Sequence, residues 1–181
     1  MKVLVTYASR HGATRGIAER IAAALERHDL DVTLKPAANV EDVAAFDAAV
    51  IGSAAYAFHW LGEASTLVRR NIPALQRMAV WLYSSGPVGT DEVDSKGRDV
   101  RATSEPKEFA EFSPIITPRG TRVFFGAWDP EASPVGLMER VMHAIPQARE
   151  AMPAGDFRDF SEVDAWGEAI ATELSKEAVP A

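Results

Sequence analysis

The stretch from Val3 to Ile21, VLVTYASRHGATRGIAERI, constrains the chain most. An apolar run, Val3-Leu4-Val5, leads through Tyr7 into a short polar loop, Ser9-Arg10-His11-Gly12-Ala13-Thr14. A helical pattern starts at once, with Ile17, Ala18, Ile21, Ala22 and Leu25 on one face. A buried strand that feeds a hydroxyl-bearing turn and then a helix N-terminus makes an anion site. Unpaired backbone N–H groups and the positive end of the helix dipole converge there, and short hydroxyl side chains add donors.

The rest of the chain alternates strand and helix. The pattern predicts a first strand near 2–8 and a helix near 13–28. A second strand over Asp31–Lys35 is stopped by Pro36. A short helix over Asn39–Ala45, capped by Asn39, is expected next. Asp47–Ser53 reads as a third strand, apolar on both faces as parallel strands are. A helix follows over Leu61–Ile72, ended or kinked at Pro73, and then a fourth strand over Met78–Tyr83. From Ser84 the sequence SSGPVGTDEVDSKGRD is a long Gly-rich loop. Beyond it lie a helix over Lys107–Ile116, a fifth strand over Thr121–Phe125, and an irregular stretch over Gly126–Pro134. Two more helices follow, one over Pro134–Ile145 and a last one capped by Ser161. Five short strands separated by helices give an open parallel α/β sheet. At 181 residues the chain reads as one domain spanning 1–181.

Composition removes several function classes. The net charge of −7 leaves too few clustered cations for a nucleic-acid binder, and it disfavours docking on an anionic membrane. With no cysteine there are no disulfides, thiolate metal sites or cysteine nucleophiles. The four histidines, at 11, 28, 59 and 143, are dispersed and form no HxxxH or HExxH pair, so no metal site is expected. No signal peptide or transmembrane run is read, which fits a cytoplasmic protein with at most peripheral contact at the inner face of a membrane.

In open parallel sheets the ligand sits beyond the carboxyl ends of the strands. That rule selects the loops Ser9–Thr14, Ser53–Trp60, Ser84–Asp94 and Gly126–Pro130. No GxxxxGK[ST] phosphate loop occurs. A dinucleotide site needs GxGxxG and an acid ending the second strand, whereas this strand ends Lys35-Pro36. A phospho-receiver needs an aspartate where Gly52-Ser53 stand. No GxSxG elbow supports a serine hydrolase. A mononucleotide phosphate held by hydroxyls and backbone remains.

At this point the sequence becomes specific. Tyr7-Ala8-Ser9-Arg10-His11-Gly12-Ala13-Thr14, with Ala18 and Ile21 on the helix behind, resembles the FMN signature of flavodoxins. Thr6 departs from it, standing where a larger apolar or aromatic residue is usual. Gly52-Ser53, then Tyr56-Ala57-Phe58-His59-Trp60 and a helix carrying Val68-Arg69-Arg70, is similar to the menaquinone-dependent protoporphyrinogen oxidase branch. The loop Ser84–Gly89 departs from that branch.

The resemblance implies a three-layer flavodoxin-like α/β fold: an open five-stranded parallel sheet in the order 2-1-3-4-5, with helices on both faces. It implies non-covalent FMN, with the flavin as the redox centre, its N5 as hydride acceptor, and no catalytic side chain. Phosphate contacts are expected from Ser9, Thr14 and the amides of Arg10, His11, Gly12 and Ala13. Ring contacts are expected from Ala54, Ala55 and Tyr56, and from Ser85, Gly86, Pro87, Val88 and Gly89. His59, Trp60 and Trp128 are candidates for the substrate side, with Asp129 beside them. The implied activity is an FMN oxidoreductase of haem biosynthesis, taking a porphyrinogen and passing electrons to a quinone. The alternative is an electron carrier between redox proteins.

Overall fold

A computed structural model describes residues 1–133, 135 and 153–178. The chain opens with β1 (Lys2–Ala8), α1 (Ala13–Glu26) and β2 (Asp31–Pro36). It continues with β3 (Ala48–Tyr56), β4 (His59–Trp60), α2 (Gly62–Arg70), α3 (Ile72–Leu75) and β5 (Ala79–Ser85). Then come α4 (Val100–Thr103), α5 (Lys107–Ile116), β6 (Gly120–Phe124), β7 (Ala127–Trp128) and β8 (Gly155–Asp156). The last described helix, α6, spans Phe160–Ala178.

The sheet runs β2-β1-β3-β5-β6, all pairs parallel, which is the expected 2-1-3-4-5 order counted over the parallel strands alone. β4 folds back antiparallel on the end of β3, and β7 pairs with β8 as a separate ribbon.

The two-residue period of the strands divides the core into two layers. Val3, Val5, Val50, Trp81 and Tyr83 face α1 and α6, meeting Ile17, Ile21, Leu25, Val163, Ile170 and Leu174. Leu4, Ile51, Val80 and Leu82 face α2 and α5, meeting Leu67, Val68, Phe109 and Phe112. α6 is also tied down at its flanks: Arg20 pairs with Asp164, Arg27 and His28 with Glu168, and Arg119 with Glu173 and Glu177.

Four local expectations are corrected. The helix expected over Asn39–Ala45 is absent. A single 3₁₀ turn spans Ala37–Asn39, and the Asp42 carboxylate then accepts from the Ala44 N–H at 2.8 Å, closing a side-chain turn that competes with helix. The helix over Leu61–Ile72 breaks at Asn71, whose side-chain amide donates to the Leu67 carbonyl at 2.8 Å. Pro73 lies in the first turn of α3, where its missing N–H costs nothing, so it opens a helix instead of closing one. The final helix is capped by Asp159, not Ser161: the Asp159 carboxylate accepts from the N–H groups of Ser161 (2.8 Å) and Glu162 (3.2 Å). The helix expected over Pro134–Ile145 lies outside the described residues, apart from position 135. No helix among the described residues is long and apolar enough to cross a membrane.

Candidate functional site

β1, β3 and β5 all end at the same edge of the sheet, and the segment after β6 comes up beside them. A cavity of about 250 Å³ opens there. Ser9, Arg10, His11, Ala13 and Thr14 form one end of it, and Ala54, Ala55, Tyr56 and Ala57 one wall. Ser85, Gly86 and Val88 form another side, continued by Gly126, Ala127, Trp128 and Asp129.

The β1–α1 loop owes its shape to two local features. Gly12 sits at φ 84, in the left-handed region where glycine avoids a Cβ clash, and it caps α1. The Gly12 N–H donates to Ser9 Oγ at 3.0 Å, drawing the loop closed. Just inside, Thr14 is fully buried and its hydroxyl meets that of Ser85 at 2.8 Å, joining the first turn of α1 to the end of β5. Arg10 is paired with Glu63 at 3.1 Å, so part of the loop's positive charge is neutralised within the protein. Arg158 lies behind the loop, donating to the Ala13 carbonyl at 3.1 Å. Its hydrogen bonds to Asp156 hold that carboxyl below the ordinary aspartate range.

The β5 and β6 ends are stitched together. Gly86 N–H donates to the Phe124 carbonyl (3.3 Å), Gly126 N–H to that of Pro87 (2.8 Å), and Phe157 N–H to that of Gly126 (3.0 Å). Gly89 is at φ 112. Gly12, Pro87 and Gly89 thus shape the loops without lining the cavity.

The β3 side is a hairpin. β3 runs three residues past its expected end, then turns through Ala57 (φ 48) and Phe58 (φ 65) into β4. Two consecutive positive φ values mark a type I′ turn, which favours Asn-Gly. Each non-glycine residue held there costs about 1 kcal/mol.

Two of the three substrate-side candidates are not on the cavity, which corrects their assignment. Trp60 is buried in the lower core, edge-on to Phe109 with ring centroids 5.7 Å apart. Its cross-strand partner is Ala55, which packs against the same lower core. His59 is half exposed and points to Glu108, its Nδ1 at 3.2 Å from the carboxylate. Trp128 does line the cavity, with Asp129 beside it. Ala57, Gly126 and Ala127 also line it; they were not singled out as ligand residues, but they lie in the loops Ser53–Trp60 and Gly126–Pro130 that the strand-end rule selects.

Amides and hydroxyls at one end and flat apolar walls along the rest suit a ligand with a single anionic group and a planar body. The sheet and this edge site define a nucleotide-binding protein of the open, doubly wound class. The sequence profile of the flavodoxin domain matches residues 4–148, and the chain belongs to that family. Flavodoxin domains hold FMN, and FMN is the cofactor. No curated protein gives a significant sequence match.

Solved structures share the fold. A flavodoxin from the domain Archaea aligns with a TM-score of 0.61 at 16% identity, over 96% of this chain and 99% of that one. The two-electron reduced flavodoxin of Megasphaera elsdenii aligns with a TM-score of 0.58 at 18% identity, over 95% and 99%. Rubredoxin oxygen:oxidoreductase of Desulfovibrio gigas aligns with a TM-score of 0.59 at 14% identity, over 99% of this chain but 37% of that one. The likeness reaches the flavodoxin domain; none of these comparisons reaches the protoporphyrinogen oxidase branch.

Proposed function

We propose that this chain is an FMN-binding electron carrier that exchanges electrons with redox-protein partners. The observation that carries this reading is the cavity at the strand ends, with the hydroxyl- and amide-bearing β1–α1 loop at one end and mostly apolar walls. Ser9 Oγ, the Thr14–Ser85 hydroxyl pair and the amides of Arg10, His11 and Ala13 would hold the phosphate, the Gly12 N–H being spent on Ser9 Oγ. A neutral donor set of this kind fits a phosphate tail, because the helix dipole and N–H groups supply the positive potential. Ala54 to Ala57, Gly86 and Val88 would border the ring, and Trp128 would wall one face and keep water off it. When bound, FMN supplies one- or two-electron transfer. The protein's part is to bind it, orient it and set the polarity around it.

A second reading is an enzyme similar to quinone-linked protoporphyrinogen oxidases. Trp128 on the cavity and the β7–β8 ribbon outside the main sheet favour it, as walls for an apolar substrate. Against it, Trp60 is buried against Phe109, His59 bonds Glu108, and neither lines the cavity.

One preparation tests both. The purified protein is expected to take up FMN, turn yellow, and exchange electrons rapidly with a flavin reductase. A protein that cannot be reconstituted with FMN would falsify both readings. Turnover of protoporphyrinogen with a quinone, absent from an FMN-free control, would replace the carrier reading with the enzyme.

A further inference from the structure

We propose that Glu108 is a positioning residue for the FMN cavity, its buried carboxylate holding the β3–β4 hairpin in place from α5. The inference rests on the FMN reading of that cavity, whose wall includes Tyr56 and Ala57 of the hairpin.

The hairpin is short. β4 is two residues long, pairing Ala55 with Trp60 and Tyr56 with His59, and at its base the Leu61 N–H donates to the Ala54 carbonyl at 3.3 Å and to Ser53 Oγ at 2.9 Å, well away from the turn. Its turn places Ala57 and Phe58 at φ 48 and 65, a geometry that asparagine and glycine favour and these two residues do not. Burial does not repay the strain, because Phe58 is 54% exposed.

The restraint comes from α5. Glu108 is buried, and its carboxylate accepts from the Trp60 N–H at 3.0 Å and meets His59 Nδ1 at 3.2 Å. Next to it, the Lys107 N–H donates to the Phe58 carbonyl at 2.9 Å. The next residue, Phe109, and Phe112 one turn further pack on the Trp60 indole. A buried carboxylate is costly to desolvate and is retained where it satisfies groups that nothing else reaches. Here those groups are the backbone and side chain of the strand directly behind the cavity wall. Removing Glu108 leaves the Trp60 N–H without its acceptor and lets the strained turn relax. The Tyr56–Ala57 wall moves with it.

The test compares the parent chain with Glu108→Ala and Glu108→Gln, read by FMN and riboflavin titration, the flavin visible bands, and thermal stability of the apoprotein. Glutamine keeps an oxygen for the Trp60 N–H and an amide for His59. Glu108→Ala is expected to weaken FMN and riboflavin alike, by about tenfold, and to shift the visible bands. Glu108→Gln is expected to stay within about twofold of the parent. Adding Ala57→Asn with Phe58→Gly to the Glu108→Ala chain is expected to recover most of the lost affinity, since the turn then holds itself.

The proposal is overturned if Glu108→Ala binds FMN like the parent with unchanged bands, or if the alanine and glutamine chains lose affinity equally. It is also overturned if Glu108→Ala fails to fold in both turn backgrounds, because Glu108 is then only a core residue. A parent that takes up no FMN overturns the cavity reading and this inference with it. A parent that binds FMN no better than Glu108→Ala overturns the inference alone.

Discussion

Tyr83 and Gly52 are register partners on adjacent strands, and the Tyr83 ring occupies the space where a side chain at 52 would be. A Cβ built on Gly52 would lie 1.9 Å from the ring Cζ and 2.2 Å from each neighbouring ring carbon. Tyr83 is fully buried, and its hydroxyl donates to the Thr6 carbonyl of β1 at 3.3 Å, spanning three strands just below the cavity. Burial pushes the phenol well above its ordinary pKa, so it stays a neutral donor. Gly52→Ala is therefore expected to destabilise the protein by about 3 kcal/mol, the upper range for overpacking a core. Urea unfolding of the apoprotein checks this. Adding Tyr83→Leu should recover part of the loss, and a Gly52→Ala chain as stable as the parent refutes the packing argument.

The strands and the phosphate loop were legible because they are continuous patterns: Val3-Leu4-Val5 can only be buried, and Ser9–Thr14 follows directly. Gly52 was legible as an exclusion, since an aspartate there would have meant a receiver. Its partnership with Tyr83 is a register fact that no local pattern carries. β4, β7 and β8 are two residues each, too short for any period to register. The direction of Trp60 depended on β4, so an aromatic assigned to the substrate side is in fact core. Asp159 and Ser161 are both good cap residues, and only the hydrogen bonds decide between them.

The buried hydroxyl pair of Thr14 and Ser85 lines the cavity where the phosphate is proposed to sit. Thr14→Val keeps the shape and removes a donor, and Ser9→Ala removes a second. The double substitution is expected to weaken FMN by about a hundredfold, at roughly 1.5 kcal/mol for each hydrogen bond to a charged group. Riboflavin, which lacks the phosphate, should bind as before. Equal losses for the two ligands would place these hydroxyls elsewhere than on the phosphate.

Thr6 carries the one departure from the FMN signature, and it has an energetic consequence. It is fully buried, and its Oγ1 has no hydrogen-bond partner among the described residues. Valine has the same shape without the hydroxyl, so Thr6→Val removes a desolvated polar group and leaves no cavity. A gain of about 1 kcal/mol is expected, read as a higher denaturant midpoint at unchanged slope. The Tyr83 hydrogen bond goes to the Thr6 backbone carbonyl and survives the change.

Acid should lower the stability that the surface capping and paired carboxylates contribute, a modest share because they are exposed. The Asp159 carboxyl is held below its ordinary range first by the Ser161 hydroxyl, then by the Glu162 and Ser161 N–H groups. Arg69 lowers Glu111 in the same way, and His28 with Arg27 lowers Glu168. A depressed folded-state pKa means that the stabilisation is complete above the unfolded value of about 4 and is lost as pH falls through the folded one. Stability from these groups should be flat from neutral pH down to about pH 5 and decline below it. Asp159→Asn keeps an acceptor for the helix N–H groups and removes the titration, so its acid decline should be shallower. An acid profile identical to the parent's rules Asp159 out as a contributor.

Gly167 sets two effects against each other. It lies inside α6, where replacing glycine by alanine stabilises an unpacked helix by about 1 kcal/mol. Here α6 crosses α1, and a Cβ on Gly167 would lie 2.7 Å from the Ala24 Cβ and 3.4 Å from the Ile21 Cα. Neither neighbour can rotate away, because one is backbone and the other is a methyl fixed to it. Ile21 shares its core cluster with Val163, Ile170 and Leu174, and Ala24 is fully buried, so relief requires moving the helix. Overpacking of this kind costs about 1–3 kcal/mol, which exceeds the propensity gain. Gly167→Ala is expected to be net destabilising, and Ala24→Gly added to it should relieve the clash despite a second unfavourable helix glycine. A double-mutant cycle by thermal unfolding measures this directly: a coupling energy of zero would mean that the helices separate freely at this contact, against the close approach seen at Ala24.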